Sequence, residues 1–439
     1  MKKFDQHLTV IKAMKASDAD FRLINLKARR KRWLSIHLWL GLTLGFLLAI
    51  YGLTGSILVF HDEIDEWLNP ELLTVVPPNG NQPYKPLTEI IEAGQQAIPK
   101  QAVHVYSDYP RNDSSVFKLS YPMPLAGVTE NWEIYVNPYT AKVLGKRLMS
   151  SSDSAIPKTF IGFIFELHYD LLLAPEISPA IVGFSGALLI ISALTGLIVW
   201  WPLTGRWRQA LTIKRKAGTE RLNFDVHKTS GVYSSLIMIP VLFSGVYMVL
   251  PERIVPVVEL FSPVTYRYWF SSTPEPSLEP ISMADVVTIA RQRYPKGRPH
   301  WIYGAPGSTD TYTVCLNSVD RPGSWLQRVC VVMDRYTGKV LDIDDPAEVT
   351  ATAGEVLTQW QWPLHSGQAF GMIGRLSVCA MGLACPVLFV TGVIRWRQKR
   401  RAIRKKRYKI EIGIKARKAS GIRIEDLDPK HASPFEQHR

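Results

Sequence analysis

Four stretches almost free of charge set the terms for this 439-residue chain. Between Arg32 and His61 the only ionic or imidazole side chain is His37, over a run of 28 residues. No Asp, Glu, Lys, Arg or His occurs from Ile177 to Gly205, between Lys228 and Glu252, or between Arg375 and Arg395. A helix needs about 20 apolar residues to cross a hydrocarbon layer in which its backbone can bond only to itself. All four stretches reach or approach that length, so four crossings are expected. The mean hydropathy of +0.01 hides this segregation. It averages the runs with two portions, each of over a hundred residues, that read as globular.

The net charge of +14 is distributed in a way that argues against a nucleic-acid partner. Residues 1–33 carry ten Lys/Arg, residues 202–228 seven and residues 395–439 sixteen. All three segments lie on one side of a four-pass topology, which the positive-inside rule assigns to the cytoplasm. The expected layout is a cytoplasmic segment 1–32 and spans 33–60, 179–201, 229–250 and 370–396. A cytoplasmic loop 202–228 joins the middle spans, outward domains occupy 61–178 and 251–369, and a basic tail fills 397–439. "RWRQKRRAIRKKR" (395–407) reads as a stop-transfer anchor, and the cytoplasmic ends as solvated and partly disordered. Residues 1–32 are too charged, and the run after them too long, for a cleavable signal. Cys379 and Cys385 fall within the fourth run as small packing residues. Cys315 and Cys330 lie in strand-like alternation, where an oxidising periplasm permits a cross-strand disulfide.

The chain repeats itself. "YVNPYTAKVLG" (135–145) matches "VMDRYTGKVLD" (332–342) at an offset of 197, which also carries His168 onto His365. "ALTGLIVWW" (193–201) matches "FVTGVIRWR" (389–397) at 196, Thr195-Gly196 falling on Thr391-Gly392. "HLWLGL" (37–42) matches "HKTSGV" (227–232) at 190, His37 falling on His227, and Gly55 onto Gly245 keeps that register. The expected fold is therefore an α-helical integral membrane protein of four transmembrane helices, duplicated about a pseudo-two-fold along the membrane normal. Each outward portion reads as an α+β module. "PLTEIIEAGQQAI" (86–98) and "SMADVVTIARQRY" (282–294) open as helices, and the "D/N-x-Y-T-x-K-V-L" element is a turn between strands.

Ionisable groups beside a span are functional candidates because burying them is costly. The repeat sorts four histidines by depth: His37 and His227 at the cytoplasmic ends, His168 and His365 at the outer face. One such histidine alone reads as an interfacial anchor. Two matched pairs read as ligand sets for a centre on the axis. Two imidazoles leave a zinc ion incomplete, whereas a haem iron already has four porphyrin nitrogens and needs two axial ligands. Gly41 and Gly231, one turn after His37 and His227, make room for a flat macrocycle. Arg375, unmatched in the repeat, is a candidate propionate partner or a headgroup contact. His61 is an alternative outer ligand, a substrate-side group or an interfacial cap. His7, His104, His300, His431 and His438 read as surface residues.

The chain resembles the PepSY-associated transmembrane proteins, which include inner-membrane ferric-siderophore reductases. The resemblance rests on "RWLSIHLWLG" (32–41), "FHDEID" (60–65), "VNPYTAKVL" (136–144), "LHYDLLL" (167–173), "NFDVHKTSGV" (223–232), "MDRYTGKVL" (333–341), "PLHSG" (363–367) and "TGVIRW" (391–396). It implies two periplasmic PepSY-like domains over a four-helix core that binds two b-type haems. His37 and His227 would hold the cytoplasmic haem, and His168 and His365 the periplasmic one. It further implies electron transfer across the inner membrane to a ferric siderophore, with reduction of Fe(III) to Fe(II) releasing the iron. No nucleotide motif occurs in the cytoplasmic segments, so an external donor, a soluble reductase or a quinol, is expected. The alternatives are a non-redox PepSY regulatory or binding protein, or an accessory subunit of iron uptake.

Overall fold

The computed structural model describes residues 26–419, apart from 27, 81, 155, 204, 215, 266–269, 276, 318, 320–327 and 346–350, with side chains to residue 412. His7, His431, His438 and the chain ends therefore lie outside the described residues. Among the described residues three helices are long and apolar enough to cross a membrane: α7 (Ser178–Trp200), α9 (Thr219–Val249) and the helix that covers Gln368–Ile412. A fourth candidate is the pair α1 (Ala28–Thr43) and α2 (Gly45–Leu58), bent by 60° at their junction where a straight span was expected. The bundle closes where small residues let backbones meet. A Cβ on Gly52 would collide with the Gly382 carbonyl oxygen, and one on Gly382 with that of Gly52. The Ser56 hydroxyl donates to the Cys379 carbonyl at 2.9 Å across the same contact. In an apolar layer, such close contacts and interhelical hydrogen bonds replace the hydrophobic effect as the packing force.

After α2 the chain turns into α3 (His61–Leu68) and α4 (Pro70–Leu73), then crosses α5 (Leu87–Gln96) into a four-strand meander. Its strands are β1 (Tyr106–Asp108), β2 (Phe117–Leu125), β3 (Val128–Val136) and β4 (Val143–Ser151). The short α6 (Phe160–Tyr169) leads into α7, and α8 (Trp207–Leu211) into α9. Beyond the membrane layer α10 (Pro251–Glu259) and α11 (Met283–Arg293) precede β5 (Arg298–Tyr303), β6 (Thr311–Asn317), β7 (Val329–Asp334) and β8 (Val340–Asp344). Then α12 (Ala353–Gln359), α13 (Gln361–Ser366) and α14 (Gly371–Ala419) complete the chain.

The two outward portions, expected as separate domains, share one antiparallel eight-stranded sheet of order β4-β3-β2-β1-β5-β6-β7-β8. Their first strands pair at the centre, Tyr106 opposite Tyr303 and Ser107 opposite Ile302. Joining there protects two inner edges that would otherwise offer unpaired backbone groups. Along β2 alternate residues Phe117, Leu119, Tyr121 and Met123 are buried. They join Ile134, Ile302, Val314 and Met333 in one core under α5 and α11. Each such side chain contributes about 1.5–3 kcal/mol when fully removed from water. Asn137 and Asp334 organise equivalent β-turns by accepting the amide hydrogens of Tyr139 and Thr140, and of Tyr336 and Thr337. Cys315 faces Cys330 across β6 and β7, and the two form a disulfide.

Three further features refine or depart from expectation. The described part of the tail after residue 396 is solvated but helical, since α14 continues to Ala419 and residues 399–412 are exposed; residues 420–439 lie outside the described residues. His104 is no surface residue. Its ring packs on Tyr121 at 5.1 Å and its Nε2 hydrogen-bonds the Tyr106 carbonyl at 2.9 Å. His300, also half-buried, lies on the central strand β5.

Candidate functional site

The four histidines of matched depth come together as two pairs. His37 and His227 have ring centroids 6.3 Å apart, and His168 and His365 have theirs 6.0 Å apart. The second pair lies next to the sheet, on the short helices α6 and α13 that lead back into the bundle. The first lies at the far end. On the continuous helix α9, His227 of the far pair and Gly245 beside the near pair are 18 residues apart, about 27 Å along the axis.

Every ring is held in the same way. A hydroxyl residue followed by glycine occurs in each of the four apolar runs: Thr54-Gly55, Thr195-Gly196, Ser244-Gly245 and Thr391-Gly392. The glycine of each meets a histidine Cε1 edge. A Cβ would stand 3.0 Å from His168 at Gly55, 3.0 Å from His37 at Gly196, 3.1 Å from His365 at Gly245 and 3.4 Å from His227 at Gly392. Beside it the Nδ1 atom finds an acceptor. His37 Nδ1 is 2.9 Å from the Ser192 carbonyl and His168 Nδ1 2.9 Å from the Thr54 hydroxyl. His227 Nδ1 lies 3.1 Å from the Leu388 carbonyl and 2.9 Å from the Thr391 hydroxyl. His365 Nδ1 lies 3.0 Å from both the Val241 carbonyl and the Ser244 hydroxyl.

A carbonyl oxygen only accepts, so in His37, His227 and His365 the hydrogen sits on Nδ1 and the Nε2 lone pair is left for another partner. A second hydrogen bond that fixes the tautomer in this way is the usual companion of an imidazole metal ligand. The pairing fits one metal between two rings. Two imidazole nitrogens each about 2 Å from an ion, with about 1 Å more from nitrogen to ring centre, give a centroid separation near the observed 6.3 and 6.0 Å. Among the described residues no group of three or more His, Cys, Asp or Glu side chains gathers as a metal site. The donor set therefore suits a metal that brings its other ligands with it. A small apolar cavity of about 100 Å³ opens beside His168 and His365, with Leu48, Val182, Met238 and Leu242 among its walls.

The remaining candidates lie elsewhere. His61, at the start of α3, hydrogen-bonds the end of α2, Nδ1 to the Leu58 carbonyl at 2.9 Å, and its Nε2 lies 3.6 Å from Asp62. Arg375 reaches the Val59 carbonyl at 2.7 Å and Glu63 at 2.8 and 2.9 Å, and stacks on Phe60 at 4.5 Å. It ties span 4 to span 1. Gly41 has no atom within 4 Å of an added Cβ and Gly231 has only Leu388, so open space lies beside both. The cradle glycines are Gly55, Gly196, Gly245 and Gly392. The recurrence of a Ser/Thr-Gly pair in all four apolar runs is the sequence signal that would have found them.

Next to the near pair, α3 docks on the sheet face that α5 and α11 leave uncovered. Asp62 meets Lys118 at 3.3 Å and Arg111 at 3.5 Å, and Asp65 takes a bidentate grip from Arg147 at 2.6 and 2.9 Å. Burial pushes the Asp62 carboxyl up, but Lys118, His61 and Arg111 outweigh it and hold it below the ordinary value. Burial raises the Glu133 carboxyl despite Lys118 nearby.

An apolar helical bundle with paired histidines, capped by an antiparallel sheet with helices on both faces, defines a class of sheet-bearing membrane protein. Residues 34–399 match the PepSY-associated TM region, and the chain belongs to that family. A search among curated proteins returns no match.

Proposed function

We propose that this is a four-span, internally duplicated protein of the bacterial inner membrane that binds two b-type haems and reduces a ferric siderophore at its sheet-bearing, periplasmic side. The single observation that carries the reading is the double histidine pair, with matched centroid spacings and Nδ1 locked from a neighbouring helix. The palindromic strand order and the repeated Ser/Thr-Gly cradles support the duplication. The basic segments at one end of the bundle support cytoplasmic termini.

Each haem, when bound, would supply one-electron chemistry at its iron. His37 with His227 would hold one, and His168 with His365 the other. The Ser/Thr-Gly cradles keep the Nδ1 hydrogens pointed away, which maintains Nε2 as the donor. Leu48, Val182, Met238 and Leu242 exclude water around the near pair. The ferric chelate is the substrate, taken up on the sheet side. Conversion of Fe(III) to Fe(II) loosens its hard oxygen ligands, and an external donor feeds the far pair.

The test is the spectrum and haem content of the purified protein. Two b-type haems per chain are expected, falling to one in His168→Ala and in His365→Ala, with loss of ferric-chelate reduction. A folded but colourless protein overturns the reading in favour of a non-redox binding role.

A further inference from the structure

The fourth span does not stop at the bundle. The helix α14 runs on past Arg395, and every residue from Lys399 to Ile412 is exposed. Residues 397–412 carry nine Lys/Arg against one Glu. Three physical points separate this rod from an ordinary stop-transfer segment. At 1.5 Å per residue it extends about 24 Å, whereas a charged headgroup surface is screened beyond about 8 Å. Successive residues step by 100°, so Arg400, Arg401 and Lys406 point to different sides. A helix that lies on a bilayer instead keeps one apolar face. Like charges also face each other at i and i+4, in Arg400–Arg404, Arg401–Lys405 and Lys405–Lys409, an arrangement that destabilises an isolated helix. An anionic surface wrapped around the rod would relieve that repulsion.

The root of the rod is fixed by the same residues that hold the far histidine pair. The Arg395 guanidinium stacks over Phe224 at 5.1 Å, and Asn223 Nδ2 donates to the Thr391 carbonyl at 3.1 Å. The Thr391 hydroxyl in turn lies 2.9 Å from His227 Nδ1. Arg221 and Lys228 add charge on the adjoining turns of α9, at 5.6 and 5.8 Å from the same Phe224 ring. Anything seated on the rod is therefore registered to the His37–His227 end.

We propose that this basic rod is the docking surface for an acidic, soluble one-electron carrier protein that serves the far histidine pair, an inference that rests on the electron-transfer reading above. Cationic surfaces of this kind steer acidic partners and set association rate more than residence time.

The experiment uses the full chain in nanodiscs of neutral lipid, with an acidic flavodoxin as probe. Binding is read by surface immobilisation and so does not depend on haem. The quadruple variant R401Q/R404Q/K405Q/K406Q should bind at least about 10-fold more weakly and with a shallower salt dependence. R401K/R404K, which keeps the charge, should bind like the parent. Equal binding by parent and quadruple variant overturns the proposal. So does a loss confined to vesicles containing phosphatidylglycerol, or to duplex DNA, since the rod would then be a lipid or nucleic-acid contact. A colourless parent that still binds flavodoxin through the rod would sink the haem reading alone. A red parent with unaltered binding in the variant would sink the docking proposal alone.

Discussion

A glycine that touches an imidazole edge leaves no room for a larger residue. In Gly55→Val the new Cβ would start 3.0 Å from His168 Cε1, and its methyl groups would drive the ring off its axis. The expected outcome is a 10–100-fold weaker near-pair site, read as haem retained per chain after purification, with the far site unchanged. A second residue-scale expectation concerns His104, which burial pushes down to about 4 from an ordinary 6.5, its hydrogen bond to the Tyr106 carbonyl acting the other way. The folded chain then binds fewer protons than the unfolded one between those values. His104 thus costs nothing above pH 6.5 and destabilises progressively as the pH falls towards 4, by about 3 kcal/mol in full. His104→Gln should flatten the loss of sheet stability between pH 7 and 4.5 in urea titrations. An unchanged slope would refute the assignment. The four ligand candidates were legible because duplication gave each an equivalent. The recurrent Ser/Thr-Gly pairs are legible as a pattern, but which ring each glycine receives follows only from the fold. His104 was misread because a three-residue strand such as β1 leaves no alternation to reveal which side chains face inward.

Among the elements, α3 joins the bundle to the sheet, and its ion pairs differ in worth because they differ in burial. Arg147 and Asp65 have side chains 13% and 12% exposed, so Asp65→Ala strands a desolvated guanidinium and should cost about 3–5 kcal/mol. Glu63 opposite Arg375 is 42% exposed, and Glu63→Gln should cost less than about 1 kcal/mol. Thermal unfolding of both variants tests the order; equal losses would refute it. None of this docking was visible in "FHDEID", which reads as a span end. The partners Arg111 and Arg147 stand 45 and 82 residues away from Glu66 and Asp65, and no periodicity connects them. The apolar runs, by contrast, announced their helices through length alone. The bend between α1 and α2 did not follow from composition, because the run contains no proline.

At the scale of the molecule, a single disulfide stands in one half of a shared sheet. Cys315 and Cys330 are 15 positions apart in sequence, a loop for which chain entropy predicts about 3 kcal/mol. Reductant or Cys315→Ser/Cys330→Ser should lower the melting temperature while leaving both histidine pairs intact by spectrum. Loss of the pairs together with the disulfide would mean that the halves are not mechanically separable. The repeat predicted two modules, but it could not show their central strands pairing. That contact depends on edges that only folding creates. The cradles carry one more consequence. His37 rests on α7 and His168 on α2, while His227 rests on α14 and His365 on α9, so each half grips its own rings yet owns only one member of each pair. Two polypeptides cut within residues 212–218 should accordingly be inert apart and complement each other when co-expressed. The peptide link between them then acts as a tether, replacing the concentration dependence of a dimer with a fixed effective molarity.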